Sequence, residues 1–248
     1  MNSIFLKDLF KILEKDNVDY LVLRGYQNLP EKYSYDIDFS VINENELTAF
    51  FNVLHNLSDK YNYSITRDVV RVGLLKVFLH FDDKILKIDV FCSFEYAGLE
   101  YIDSQVLHNK KRKSPSNISI PTLNYELAIS LLKELLHNSR IRKDKVSLLR
   151  SQFEKRTFDE PFKKYFSNKN IKNLSASLFL GEKLYFKKLS LCFKLSLLLK
   201  NIKIYGIIVT SSKVFYFFWV KYFFQKRYDD VILKKISQKN DNLLSNKN

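Results

Sequence analysis

Two aspartates stand one residue apart at the start of a predicted β-strand, in the run Asp36-Ile37-Asp38-Phe39. Because side chains i and i+2 of a strand point to the same face, Asp36 and Asp38 are expected to lie side by side. The apolar residues that alternate with them then face the core. Two neighbouring carboxylates repel each other unless a cation lies between them. The pair therefore predicts a Mg²⁺ site, since Mg²⁺ binds carboxylate and phosphate oxygens together.

A third acid, Asp89, interrupts the otherwise largely apolar segment 85–91. A charged side chain inside an apolar strand is unfavourable unless it is paired or bound to a metal. Asp-x-Asp pairs occur by chance in many loops, but here an earlier apolar strand also ends at Gly25, and ten residues separate that glycine from the pair. These features together make Asp36, Asp38 and Asp89 the candidate metal ligands.

The elements that must position these acids follow from the spacing of apolar residues. Helical spacing predicts a helix over residues 3–15, and a near-continuous apolar run predicts a buried strand over 18–24. Further along, we expect a strand over 36–42, a helix that starts with a capping-box pattern at 43–46 and ends near 58, and strands over 61–68, 69–81 (with Gly73 as a bulge) and around Asp89. This order predicts an α/β or α+β fold.

The rest of the chain is predicted to be mainly helical. Residues 93–120 have no clear hydrophobic period and are expected to be irregular. Leucines at helical spacing predict a helix over 124–138. Residues 178–200 can form another helix, and 204–224 is the most apolar stretch. Because Lys213 lies at the centre of that stretch and a central lysine costs about 2.5–3.5 kcal/mol on insertion, a core helix or an interfacial helix is favoured over a membrane span.

Charge is divided unevenly along the 248 residues. Residues 1–100 carry 11 lysines and arginines and 16 aspartates and glutamates, whereas residues 101–248 carry 30 and 11. The net charge of +14 therefore arises in the second part, which predicts an anionic partner there. Cys92 and Cys192 match no disulfide framework or zinc motif, so a reducing compartment is expected. The histidines lack the spacing of metal ligands and are expected to be surface or core residues. They are His55, His80, His108 and His137.

One combination of motifs is similar to a known pattern: the apolar strand that ends in Arg24-Gly25, a ten-residue loop, Asp36-x-Asp38 and the later Asp89. It resembles the signature of the polymerase-β-type nucleotidyltransferase superfamily, over roughly residues 1–95 and more weakly to about 150. One departure is Tyr26, which stands where the family has Gly or Ser. The resemblance implies a small mixed-sheet nucleotidyltransferase core, followed here by a helical C-terminal region.

The resemblance also implies roles for individual residues. Asp36, Asp38 and Asp89 would be the catalytic acids that hold two Mg²⁺ ions, with an NTP or other nucleotide-type donor bound against them. Arg24, Gly25 and, more weakly matched, Arg142 and Lys143 would face the donor phosphates. The implied reaction transfers a nucleotidyl or phosphoryl-type group to a hydroxyl acceptor.

Several interpretations of the function remain open. Similar superfamily members are associated with bacterial surface-polysaccharide synthesis, so a glycan or lipid-linked glycan is the favoured acceptor. One alternative is a toxin-like enzyme that modifies tRNA or another RNA. A second is a non-catalytic scaffold that retains the fold, and Tyr26 is the residue that favours it.

The domain organisation is predicted from the change in composition. Residues 1–120 would form the catalytic domain, 121–236 a basic helical accessory region and 237–248 a disordered tail. The basic, aromatic region has three interpretations: a helical domain with solvated lysines, a region that docks on an anionic membrane surface through 178–236, or a nucleic-acid-binding region. The expected location is the cytoplasm, including the inner face of the membrane.

Overall fold

The computed structural model describes residues 2–32, 36–71, 73–82, 84–141, 160–180 and 183–219. These residues belong to two compact units. The first unit contains the chain up to Ser93 together with Ser104–Ile120, and the second contains Phe94–Asp103 and Pro121–Tyr216. Residues 217–219 are grouped with the first unit. The predicted mixed α/β class is confirmed, with helices in the C-terminal region.

The secondary-structure elements are as follows. The strands are β1 (Tyr20–Val22), β2 (Asp36–Val41), β3 (Ser64–Arg71), β4 (Leu74–Phe81), β5 (Lys84–Phe91), β6 (Phe94–Tyr96), β7 (Leu99–Ile102), β8 (Lys111–Lys113) and β9 (Ser119–Pro121). The helices are α1 (Asn2–Lys15), α2 (Glu44–Tyr61), α3 (Ser104–Asn109), α4 (Leu123–Leu132), α5 (Glu160–Lys163), α6 (Asn168–Leu180), α7 (Lys183–Tyr205) and α8 (Ile207–Trp219). A 3₁₀ turn occupies Tyr26–Asn28, and a π-helical turn at Lys133–His137 continues α4.

The first unit is built on a mixed five-stranded sheet with the strand order β1-β2-β5-β4-β3. Strands β2 and β5 run parallel, and the other neighbouring strands are antiparallel. Helices α1 and α2 pack their apolar stripes against one face, where Phe5, Phe39 and Phe50 are fully buried. This apolar face fixes the register of the strands, because a shift of one residue would turn every side chain to the wrong face.

Asn43 and Gly73 account for two local features of the first unit. The Asn43 side chain caps α2 by accepting hydrogen bonds from the backbone N–H groups of Asn45 and Glu46. Gly73 lies in the hairpin between β3 and β4 at φ 77°, and a Cβ there would lie 1.9 Å from Ser93 Oγ. The irregular pairing predicted at Gly73 instead occurs within β3, just before the turn.

The expectation that residues 93–120 are irregular is wrong. This segment contains the hairpin β6–β7, helix α3 and the paired strands β8 and β9. Each of these elements is three to six residues long. Elements of that length are shorter than the window in which a hydrophobic period can be recognised.

The second unit has a core in which aromatic side chains from α5 to α7 meet. Phe166 and Phe193 pack with ring centroids 4.6 Å apart, and both are buried. Ser190 of α7 donates a hydrogen bond to the carbonyl of Leu135, 2.6 Å away, in the π-helical turn. The helix predicted over 178–200 is found as the end of α6 and most of α7. Among the helices in the described ranges, none is both long and apolar enough to cross a membrane.

Candidate metal centre

Three aspartates converge on the face of the sheet that α1 and α2 leave uncovered. In the parallel β2–β5 ladder Asp38 lies opposite Asp89, and Asp36 lies opposite Lys87. Since side chains alternate along a strand, all four side chains project from the same face. One carboxylate oxygen from each aspartate lies within 4.8 Å of the others. The pairing of β2 with β5 thus brings residues about fifty positions apart into one cluster.

The opposite face explains why the acids point outward from the core. Ile37 and Phe39 alternate with the aspartates of β2, and Ile88 and Val90 flank Asp89 on β5. All four apolar side chains are buried against α1 and α2. Burying these side chains is favourable by about 1.5–3 kcal/mol each, so the register that places the acids together is the register that fills the core.

Burial distinguishes the three carboxylates. The side chains of Asp38 and Asp89 are only 4% and 12% exposed, whereas that of Asp36 is 38% exposed. Asp38 Oδ1 and Asp89 Oδ1 are buried and accept no hydrogen bond from the described residues. A buried carboxylate oxygen without a donor is unfavourable. These two oxygens are therefore the atoms that a bound cation would stabilise most.

Two basic side chains compensate part of the negative charge. Arg24 Nε donates to Asp38 Oδ2, and Arg24 Nη2 lies 3.5 Å from Asp36 Oδ2. Lys87 Nζ lies 3.2 Å from Asp89 Oδ1 and 3.9 Å from Asp36 Oδ2. Lys87 Nζ donates a hydrogen bond to the other oxygen of Asp89, Oδ2, at 3.4 Å. Its contact to Asp89 Oδ1 is an ion pair by distance but not a hydrogen bond. Between them, Arg24 and Lys87 thus contact all three carboxylates.

The donor set fits a hard divalent cation. Oxygens bound to Mg²⁺ at about 2.0–2.1 Å lie at most about 4.2 Å apart across one ion, and somewhat farther apart when they bridge two ions. The oxygen separations here are within 4.8 Å, so small side-chain rotations would complete the geometry. The Arg24 side chain is 48% exposed and could turn toward solvent or a ligand when a cation binds.

The structure brings some of the predicted donor-binding residues to the cluster. Arg24 contacts two of the aspartates, as given above. Gly25 follows it with φ 71°, a left-handed conformation that glycine adopts easily, and leads into the 3₁₀ turn. Arg142 and Lys143 lie outside the described residues. Lys87 was not predicted as a site residue, although its position two residues before Asp89 on the same strand places it on the same face.

Tyr26, which replaces the small residue of the resembled pattern, has its ring in the core. The residue is 9% exposed. Its hydroxyl accepts a hydrogen bond from Arg112 Nη2 at 3.2 Å. The side chain therefore contributes to packing and connects the turn after β1 to β8.

A second polar group, His108, is buried on the same face of the sheet. Its Nε2 lies 3.1 Å from Ser40 Oγ and its Nδ1 lies 2.8 Å from Asp19 Oδ1. Burial lowers the pKa of His108, while the bond to Asp19 opposes that shift. Ser40 and His108 are at most 1% exposed, so the serine is closed to substrates and the group anchors α3 to the sheet. His108 is thus a core histidine, one of the two environments expected for the histidines.

Comparisons with known proteins add no assignment to this geometry. No protein-family model, curated protein or solved structure matches the chain. The resemblance to nucleotidyltransferases therefore stays a prediction, and the arrangement of the side chains is the observation from which a function can be proposed.

Proposed function

We propose that the chain is a Mg²⁺-dependent enzyme of the nucleotidyltransferase type, which transfers a nucleotidyl or related phosphoryl group to a hydroxyl acceptor. The supporting observation is the convergence of Asp36, Asp38 and Asp89, with two buried carboxylate oxygens that accept no hydrogen bond from the described residues. The resemblance of the sequence pattern supplies the reaction class. The bound ions would neutralise donor phosphate oxygens and lower the pKa of the acceptor hydroxyl.

The residues of the chain divide the work according to their exposure. Asp38 and Asp89 are the inner ligands because they are buried, and Asp36 is the outer ligand, accessible to an incoming donor. Arg24 pairs with the carboxylates of Asp36 and Asp38 before the donor binds. It can then pair with the phosphates of the donor, since guanidinium binds phosphate and carboxylate alike. The donor is an NTP or other nucleotide-type molecule, and the favoured acceptor is a glycan or lipid-linked glycan.

A non-catalytic scaffold is the second candidate function. The observation in its favour is that Arg24 and Lys87 between them contact all three carboxylates. In that case the cluster would be a structural ion-pair network that joins β1, β2 and β5. The two functions predict opposite responses to divalent cations.

The experiment measures thermal unfolding of the full chain with and without Mg²⁺, across a panel of nucleotides. At a ligand concentration of one hundred times Kd, we expect stabilisation of about 2.7 kcal/mol. Asp38→Asn and Asp89→Asn should lose this Mg²⁺-dependent part. Asp59→Asn, which changes an exposed acid on α2, is the matched control and should keep it.

Transfer of label from the stabilising nucleotide to a hydroxyl acceptor then tests the reaction itself. Loss of an ion-binding acid should reduce the rate by at least about a hundredfold, since it removes several kcal/mol of charge stabilisation. No response to Mg²⁺ or Mn²⁺ in the wild type, with lower stability in Asp38→Asn, would support the scaffold and refute the enzyme.

A further inference from the structure

Helix α7 exposes a stripe of leucines on its outer face. Leu191, Leu195 and Leu199 are 59%, 52% and 65% exposed, and they follow one another at intervals of four residues. At about 100° per residue they lie within about 80° of one another around the helix. Contiguous exposed apolar surface of this kind marks an interaction site more often than isolated exposed leucines do.

The inner face of the same helix accounts for its attachment to the second unit. Phe193 and Leu197 are fully buried there, and Asn201 Nδ2 donates to the backbone carbonyl of Leu197 at 2.9 Å and to that of Glu100 at 3.3 Å. Around the helix axis, Phe193 and Leu197 lie about 160° from Leu195, the centre of the leucine stripe, and Asn201 lies about 120° from it. The stripe is therefore not needed for packing within the unit, and α7 is apolar on two opposite faces.

Lysines border the leucine stripe on both sides. Lys187 and Lys203 are exposed and lie about 80° to either side of Leu195. Residues 183–219 contain seven lysines and no aspartate or glutamate. The exposed Lys188 lies about 20° from Leu195, at the N-terminal end of the leucine stripe. An apolar strip with cations at its sides and at one end is complementary to a surface that is apolar inside and anionic outside.

Helix α8 continues this character. Ile207, Ile208 and Phe215 are 65%, 78% and 65% exposed. All residues of α8 are described, and Thr210 is the only buried residue among them. Over their described residues neither helix is long and apolar enough to span a bilayer, and their exposed apolar surface suits an interfacial position.

We propose that the leucine stripe of α7, with its flanking lysines, docks the protein on an anionic phospholipid surface. The leucines would enter the boundary between headgroups and acyl chains, while the lysine stems extend to the lipid phosphates. This inference does not depend on the metal chemistry. It selects one of the interpretations of the basic region and names the helix face responsible.

Other occupants match the surface less well. A second copy of the chain bound through the same stripe would bring two sets of lysines together without any acid between them, and like charges repel. Nucleic acid would pair with the lysines, but aliphatic leucines at the centre offer no surface on which bases stack as they do on aromatic rings. An anionic bilayer satisfies the apolar and the cationic residues together.

The test is sedimentation of the full chain with phosphatidylcholine vesicles, with and without phosphatidylglycerol, at low and high salt. We expect binding to the anionic vesicles that weakens as salt screens the lysines. Trp219 is the sole tryptophan and is 43% exposed. Its fluorescence reports the transfer of α8 to the interface by a blue shift.

Matched variants separate the contributions of apolar contact and charge. The triple variant Leu191→Gln/Leu195→Gln/Leu199→Gln should lower partitioning at least tenfold, because it removes the apolar contact. Its control changes exposed apolar residues elsewhere, Ile4→Gln/Ile85→Gln/Leu123→Gln. Lys187→Gln/Lys203→Gln should lower partitioning about fivefold per lysine, whereas Lys11→Gln/Lys15→Gln removes the same charge from α1 and should have little effect.

Each result decides the proposal. Selective loss of binding in the two α7 variants supports it. Wild-type protein that ignores anionic vesicles, or a leucine triple variant that binds them as the wild type does, overturns it. A shift from dimer to monomer in the leucine variant, measured by analytical ultracentrifugation without lipid, would assign the stripe to self-association instead. Leucine-dependent binding of RNA without vesicle binding would likewise refute it.

Discussion

The carboxylate cluster of the first unit and the leucine stripe of α7 use charge in opposite ways. In the cluster, the aspartates and Lys87 lie on the adjacent strands β2 and β5, Arg24 follows β1, and these acidic and basic side chains lie within ion-pair distance of one another. Around the stripe, the flanking Lys187 and Lys203 are exposed, and residues 183–219 contain no acid. A buried charge can be balanced only by a specific partner, whereas exposed charge of one sign is balanced by a diffuse surface of the other.

This difference indicates what kind of ligand each region can recognise. Two buried carboxylate oxygens that accept no hydrogen bond from the described residues are suited to a small cation placed within bonding distance. Exposed leucines between lysines call for an extended surface and do not fix its position closely. The carboxylate cluster is therefore suited to binding a metal ion for a reaction, and the leucine stripe is suited to docking the protein on a surface.

The largest expected effect comes from removing the apolar support behind the acids. Phe39 lies between Asp38 and Ser40 in sequence but points to the core. The centroid of its ring lies 5.0 Å from that of Phe50 and 6.0 Å from that of Phe10. Phe39→Ala should lower the free energy of unfolding by about 3–5 kcal/mol, measured by urea denaturation. Phe78→Ala, a half-buried phenylalanine on the other face of the sheet, is the control and should cost clearly less. Equal losses would mean that the two faces of the sheet are not distinguished by burial.

A smaller effect is expected at His108, whose hydrogen bonds to Asp19 and Ser40 are buried. His108→Gln should cost about 1–3 kcal/mol at neutral pH, because buried groups lose their partners. Since burial lowers the pKa of His108 below 6.5, the unfolded chain binds a proton that the folded chain does not. Wild-type stability should therefore fall as the pH is lowered from about 7 to about 5.

The variant should lose part of this pH dependence, measured as urea midpoints across the same range. His55, whose pKa is also lowered by burial and by Arg67, contributes with the same sign, so some slope will remain. The carboxyl of Asp19 does not contribute in this range. Its burial favours protonation, but hydrogen bonds from His108 and Lys111 keep its pKa below 3.8. An unchanged slope in His108→Gln would show that His108 is not held neutral in the fold.

The sequence allowed the acids to be predicted better than their neighbours. The alternation in β2 places Asp36 and Asp38 on one face, and this is a local property of six residues. That Asp89 lies opposite Asp38 depends on the pairing of β2 with β5, which is non-local and follows only from the completed sheet. Lys87 was not predicted because a lysine in a strand is usually solvated. Its spacing of two residues from Asp89 places both side chains on one face, and the register with β2 adds the contact to Asp36.

Helix α7 shows a different limit of sequence analysis. Its existence could be predicted from its length and composition, but the face that packs could not, because leucines and phenylalanines occur on both sides. Tertiary contacts from the π-helical turn and β7 select the inner face. Burial, and not periodicity, separates Leu197 from Leu195.

Lys87 offers a test of whether the cluster is built for a cation. Lys87→Met removes a positive charge 3.2 Å from Asp89 Oδ1. If the site binds Mg²⁺, its affinity should rise about fivefold, since a charge at this distance is worth about 1 kcal/mol even at the dielectric constant of water. Isothermal titration with Mg²⁺ measures this change, and Lys11→Met on α1 is the control. An affinity that stays the same or falls would contradict competition between Lys87 and the metal.

The smallest effect is expected at the exposed stripe itself, where Leu195 and Leu197 form an internal comparison. The two leucines belong to the same helix, but Leu195 is 52% exposed and Leu197 is fully buried. Leu195→Ala should change the free energy of unfolding by no more than about 0.5 kcal/mol, whereas Leu197→Ala should cost about 2–5 kcal/mol. Urea denaturation without lipid measures both. If Leu195→Ala proved as costly as Leu197→Ala, the stripe would already be covered in the free protein, and a bilayer could not be its partner.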